Sequence, residues 1–472
     1  MFRLQGRSSS RVLAAAALIG FVLVGGWLMA QAPAAPAAPA APAVEPPKID
    51  PGHTAWMLTA TALVLFMTPG LALFYAGMVR TKNVLGTMAH SVFAMGLITI
   101  QWVLFGYTIA FGPDTAGGLF GDLGAYLGLS GVDHDKPMPG SVHLFPHLVF
   151  CAYQLMFAII TPALITGAFA ERVKFGAYCL FMLLWATLVY DPLAHWVWGG
   201  GLLANNVAPT PQSWLQNTVG AGALDFAGGT VVHISSGVSA LVFILLTGKR
   251  KGYPSQRILP NNLGYTVLGA GILWFGWFGF NGGSATASDG LAGLAFTVTH
   301  ICAASAAVAW AVVEWIHRGK ASVLGIASGI VAGLVCITPA AGFVGPISAL
   351  IMGFIVSPIC YYFVAVLKAK LGYDDSLDAF GVHGIGGTVG ALCTGIFCQK
   401  RYNSGGADGL IMNEWTQFKA QFVAVVVTWV FAGAVTFILV KLLDATIGLR
   451  VKPEEEESGL DVSQHGEVGY NL

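Results

Sequence analysis

The 472 residues carry 23 basic and 23 acidic side chains, so the formal net charge is zero, and 10% of positions are charged against 56% hydrophobic. With a mean hydropathy of +0.71 the chain has more apolar surface than a soluble core can use, which excludes a soluble domain and predicts a polytopic protein of the lipid bilayer. With a net charge of zero, nothing in the composition suggests nucleic acid. The 61 glycines suit closely packed membrane helices. The seven cysteines lack metal-ligand spacing and read as small buried hydrophobes.

Residues 1–30 read as a signal peptide: Arg3, Arg7 and Arg11 precede an apolar run from Val12 to Met29, closed by Ala30. An uncleaved signal anchor is the alternative. Residues 31–50 form an Ala/Pro-rich periplasmic linker that buries no core. Eleven apolar spans follow, at about 54–79, 85–112, 144–170, 175–198, 225–248, 262–281, 290–316, 322–337, 342–368, 380–399 and 418–443. With the N-terminus outside, the inner segments hold fifteen lysines and arginines, among them Arg80, Arg172, Lys249, Arg250, Lys251 and Arg450, and the outer segments hold five. That bias follows the positive-inside rule and places the C-terminus inside. Residues 51–445 are then the membrane domain and 446–472 a cytoplasmic tail, in which Glu454 to Glu457 read as a solvated run.

The fifth span opens with Asp225-Phe226-Ala227-Gly228-Gly229-Thr230-Val231-Val232-His233-Ile234. On a continuous helix His233 lies about 12 Å below Asp225. It then shares a face with Gly229, Thr230, Ser236 and Gly237, while Val231, Val232, Ile234 and Val238 point elsewhere. An ionisable residue there marks either an interior pathway or a packed, hydrogen-bonded histidine. The tenth span shifts the balance to a pathway. Asp378-Ala379-Phe380-Gly381-Val382-His383-Gly384-Ile385-Gly386-Gly387-Thr388-Val389-Gly390 repeats an aspartate, glycines, a Gly-Gly-Thr-Val run and an early histidine. Spans one to five and six to ten run in opposite senses, so His233 and His383 take equivalent places in an inverted repeat.

In span six, Trp277, Phe280 and Ser284 are spaced for one helical face near the outer water. Rings at such a mouth form an interfacial belt or a cation–π site. Span three offers Tyr153, Gln154 and Phe157, and span four ends in Trp198-Gly199-Gly200-Gly201.

These stretches resemble the ammonium transporter/Rhesus (Amt/Mep/Rh) family, specifically its bacterial ammonium transporter branch, from about residue 52 to the C-terminus. The resemblance is carried by the Asp225 to Ile234 and Asp378 to Gly384 stretches, by Trp277-Phe278-Gly279-Phe280-Asn281, and by Gly459-Leu460-Asp461 with His465-Gly466-Glu467. It implies an all-α polytopic membrane protein of the bacterial inner membrane. The expected architecture is a homotrimer with one pore per subunit, each subunit having eleven transmembrane helices in a five-plus-five inverted repeat. It implies that Phe157, Trp198 and Ser284 form an outer cage for ammonium, and that Phe157 and Phe280 close the pore beneath it. His233 and His383 would be twin pore histidines and a proton relay, Trp277 a neighbour lining the pore, and Asp225 the holder of the outer-site backbone. Tyr153 stands where many relatives carry phenylalanine, which leaves its role open. Net ammonium/ammonia uptake is implied, with neither enzyme activity, cofactor nor metal. A cytoplasmic PII-type (GlnK-like) regulator is the implied partner, with the tail packed beneath a neighbouring subunit. The alternatives are a Rhesus-type neutral gas channel, an ammonium sensor working through a PII partner, and a bis-histidine haem bundle. The aromatic cage is absent from Rhesus proteins, which favours the ammonium branch.

Overall fold

The computed structural model describes residues 48–207, 210–256 and 258–470; the expected signal peptide and most of the linker lie outside them. Among the described residues, ten helices are long and apolar enough to cross a membrane. They are α1 (Pro51–Met78), α2 (Thr81–Phe111), α3 (His147–Phe169), α4 (Phe175–Val197), α5 (Gly229–Thr247), α6 (Leu263–Ala285), α7 (Gly290–Arg318), α9 (Pro346–Leu371), α10 (Phe380–Phe397) and α11 (Thr416–Thr446). Between α7 and α9 lies α8 (Val323–Ile337), of 15 residues. At 1.5 Å per residue it reaches about 22 Å, short of the ~30 Å hydrocarbon layer. Ser322 caps its start by accepting from the Gly325 amide, and Thr338-Pro339 follows its end, so its length is set by its own boundary residues.

Several of these helices are locally widened into π turns. In α4 the π turn Ala186–Tyr190 precedes Pro192, which has no amide to donate and would crowd the carbonyl one turn earlier; the wider turn absorbs the mismatch. Helices α5 and α10 both begin as π turns, Gly229–Ile234 and Phe380–Gly384, and each turn contains one of the two span histidines.

Small residues let the helices approach closely. Helix α6 lies along α1, and a Cβ at Gly269 would overlap the Phe74 amide. Where α5 meets α10, a Cβ at Gly237 would overlap the Gly384 amide, and one at Gly387 would lie 2.9 Å from His233 Cβ. Contacts that advance along α5 retreat along α10, so the two helices cross antiparallel, histidine beside histidine.

The charged residues that follow α1, α3, α5 and α9 gather in a buried network. Glu171 pairs with Arg80 and Arg250, and Asp374 with Arg172 and Arg250. Burial alone would raise both carboxyls, but Arg250 with Arg80, and Arg250 with Arg172, hold them below the usual carboxylate range. The tail closes over this network. Asn83 donates to Glu171 and accepts from the Leu460 amide at 2.8 Å, while Asp461 accepts from the Gly86 amide at 2.8 Å. Glu454 and Glu457 are exposed, as expected of a solvated run, but Glu456 departs from it at 2% exposed. It pairs with Arg450 and accepts from the Lys251 amide. Lys82 and Lys251 hold Glu457 from the other side. Glu456 is drawn in because Arg450 and the Lys251 amide offer partners that the run alone does not show.

Candidate transport site

The sequence reads the Asp225 stretch as continuous helix, and the structure differs. Gly228 takes φ 113°, open to glycine and strained for other residues, and the helix starts only after it. Asp225 therefore caps the start of α5 instead of riding on it. Its carboxylate accepts from the amides of Gly228 (2.9 Å), Gly229 (2.5 Å), Thr230 (2.8 Å) and Val231 (3.1 Å). These are the donors a helix start leaves unpaired. Burial pushes this carboxyl above the usual range and the amide bonds pull against that shift. The Asp225 carbonyl in turn accepts from the Trp198 indole at 2.8 Å. Because of the π start, Val232, expected to point elsewhere, faces the interior beside His233. Gly229 and Gly237 serve close approach to Pro339 and Gly384.

Phe157, Trp198, Asp225, Phe226 and Ser284 line a cavity of about 350 Å³. At its floor the Phe157 and Phe280 rings stack with centroids 4.3 Å apart at 36°, and Trp198 meets Phe157 edge-on at 5.9 Å. Beneath Phe280 is a second space of about 10 Å³, lined by His233, His383, Trp277 and apolar side chains such as Leu71, Ile160 and Val331. That is the threshold for one water-sized molecule.

His233 and His383 approach Nδ1 to Nδ1 at 3.3 Å, with rings 22° from parallel. Two imidazole nitrogens this close share one proton, so one ring donates and the other accepts. His233 Nε2 is buried with no partner among the described residues. The Trp277 ring stacks on His233 at 5.5 Å, and its indole donates to Thr338 at 2.9 Å. The eight residues singled out from the sequence thus form one column: Trp198, Asp225 and Ser284 at the cavity, Phe157 and Phe280 between, and Trp277, His233 and His383 below.

The pattern of the Ammonium Transporter Family matches residues 55–470. The chain belongs to the ammonium transporter family. It is 49% identical over 420 residues to an ammonium transporter of Bacillus subtilis, covering 89% of this chain and 98% of that relative. The crystal structure of Saccharomyces cerevisiae Mep2 is similar at TM-score 0.79 and 35% identity, covering 90% of this chain and 92% of that one. A sensor Amt protein is similar at TM-score 0.78 and 29% identity, covering 88% and 98%.

Within this ammonium transporter family chain the repeat pairing needs a correction. Asp378 does not play the part of Asp225 in the second half: it has φ 62° and pairs with Lys368. The counterpart is Asp375, whose carboxylate accepts from the amides of Ala379 (3.0 Å), Phe380 (2.9 Å) and Gly381 (3.4 Å). Burial and the neighbouring Asp378 push it up to about 6. Both aspartates stand eight residues before their histidine, a spacing that was available to find it. Asp191 was also missed. It is a fully buried carboxyl in α4 that accepts from Gln101 at 2.6 Å, with no partner for its second oxygen among the described residues.

Proposed function

We propose that the chain is an ammonium uptake transporter that captures the cation in the outer cavity, removes its proton and conducts ammonia through the chamber beside His233 and His383. The observation that carries this reading is the stacked Phe157/Phe280 pair separating the roomy, partly polar cavity from an apolar chamber of water size. Trp198 and Phe157 offer cation–π faces and Ser284 a hydroxyl acceptor. Potassium and ammonium have similar size and charge, so a hole alone does not separate them. Only ammonium can give up a proton. A charge at mid-membrane costs at least about 2.5–3.5 kcal/mol, and neutral ammonia avoids that cost. The shared Nδ1–Nδ1 proton holds the two imidazoles in place and supplies a route for the proton left behind. Net movement is then of ammonium.

The same reading takes α1–α11 as eleven membrane crossings, α1–α5 and α6–α10 as an inverted repeat, N-terminus outside and C-terminus inside. It takes the assembly as a homotrimer in the bacterial inner membrane, with a PII-type regulator on the basic inner face. A sensing role through such a partner is the second reading, favoured by the likeness to a sensor Amt protein.

The test is current and uptake in proteoliposomes under an inward ammonium gradient, with potassium as competitor. Wild type should carry ammonium and exclude potassium. The double variant His233→Ala with His383→Ala should lose selective transport. A double variant that keeps both flux and potassium exclusion removes the histidines from the mechanism.

A further inference from the structure

Tyr153 sits on α3 one turn before Phe157, fully buried. Its ring meets Phe157 edge-on at 5.0 Å. Its hydroxyl lies 2.9 Å from Gly279 O, 2.8 Å from Phe280 O and 3.2 Å from Ser284 Oγ, and Ser284 Oγ is itself 2.9 Å from Phe280 O. A Cβ at Gly283 would lie 2.7 Å from that hydroxyl, so the glycine is what admits the tyrosine to the end of α6.

The protons can be counted. A phenol has one to give. Two carbonyls at the end of α6 compete for it, which commits the Tyr153 proton to the helix end. In the remaining contact Ser284 is therefore the donor, either to Tyr153 Oη or to Phe280 O. Both acceptors lie on the protein side. Ser284 thus turns its proton away from the cavity it lines and leaves its lone pairs facing inward. A serine fixed as an acceptor suits a cation whose four hydrogens all donate. The phenol also ties the backbone carbonyl of Phe280 at the end of α6.

We propose that Tyr153 is a positioning residue of the outer site, one that orients Ser284 as an acceptor. The inference rests on the outer-cage reading above. The test is a double-mutant cycle in proteoliposomes, measuring the concentration dependence of ammonium uptake for Tyr153→Phe, Ser284→Ala and both together, with thermal unfolding of each. Tyr153→Phe keeps the ring and its packing. It should raise KM about three- to tenfold, the worth of one hydrogen bond, with the effect on KM and not on maximal rate, and unfolding close to wild type. In the Ser284→Ala background the same change should raise KM no further. If Ser284→Ala raises KM but Tyr153→Phe does not, the inference is wrong while the cage stands. If Tyr153→Phe has the same effect in both backgrounds, its role is structural. If Ser284→Ala leaves KM unchanged, the cage reading fails and this inference falls with it.

Discussion

Asp225 and Asp375 hold the starts of the two helices that carry His233 and His383, each eight residues ahead of its histidine and each accepting the amides of the first turn. A helix start leaves amides unpaired, and inside a membrane protein no solvent satisfies them. A buried carboxylate accepts several at once, and the positive end of the helix favours its charge. The histidine then sits at a fixed height and rotation. The antiparallel crossing of α5 and α10 turns two such placements into one 3.3 Å contact.

Asp375 and Asp378 should therefore behave differently. Asp375→Asn replaces one acceptor oxygen with a donor facing amides, leaving buried donors unpaired at about 1–3 kcal/mol each. Transport should fall at least about tenfold and the unfolding temperature should drop. Asp378→Asn weakens its pair with Lys368, whose partners are 19% and 23% exposed, and removes a charge beside Asp375, but it leaves the first-turn amides of α10 with their acceptor, so its effect should be the smaller. Uptake and unfolding of the two variants, measured side by side, check this; a larger effect at Asp378 would falsify the assignment of Asp375 as the counterpart of Asp225.

Trp198→Leu removes one wall of the cavity and the bond from the indole to the Asp225 carbonyl. Capture should weaken by about 0.5–2 kcal/mol, seen as a higher KM. The fold should survive, since the residue is only partly buried at the end of α4. An unchanged concentration dependence of uptake would take Trp198 out of the site.

The ion network on the charged face gives a pH prediction. Glu171 and Asp374 are held below the usual carboxylate range. Depressed native values contribute stability that is fully present above the unfolded value, near pH 4, and is lost as pH falls through the native values. Thermal unfolding in detergent should thus be flat in this contribution from pH 7 to 5 and weaken below about pH 4. Arg250→Met removes the cation common to both carboxylates, which costs about 3–5 kcal/mol for a broken buried pair. Burial is then opposed only by Arg80 at Glu171 and by Arg172 at Asp374, so both carboxyls rise and the variant should lose less stability than wild type as pH drops. A variant with the wild-type pH dependence would show that Arg250 does not hold these carboxyls down.

The tail gives the last prediction. Truncation after Arg450 deletes the partners of Arg450, Asn83 and the Gly86 amide without touching the chamber. The protein should remain folded, transport should be reduced, and inhibition by a PII-type partner should be lost. Size-exclusion profile, uptake and uptake with added PII protein measure the three parts. Full transport with intact PII inhibition would mean that the tail couples nothing.

Composition by itself determined that the chain lives in a bilayer, because apolar content on this scale has no soluble use. The apolar runs placed the helices, since a span must be long and uninterrupted, and the motifs singled out the eight residues that the fold brings into one column. Tertiary structure alone decided how they meet. The shared histidine proton depends on Gly237 and Gly387 letting two helices cross, a contact between residues 150 apart in sequence. Asp375 was hidden behind Asp378 because sequence likeness aligned the nearest aspartate, whereas hydrogen-bond reach to the amides of the first turn selects the one eight residues back. The Asp225 stretch read as helix because Gly228 only reveals its break once its left-handed backbone is seen. Glu456 read as solvated because a charge run looks exposed until Arg450 and the Lys251 amide, brought in from other loops, supply the partners that make burial affordable.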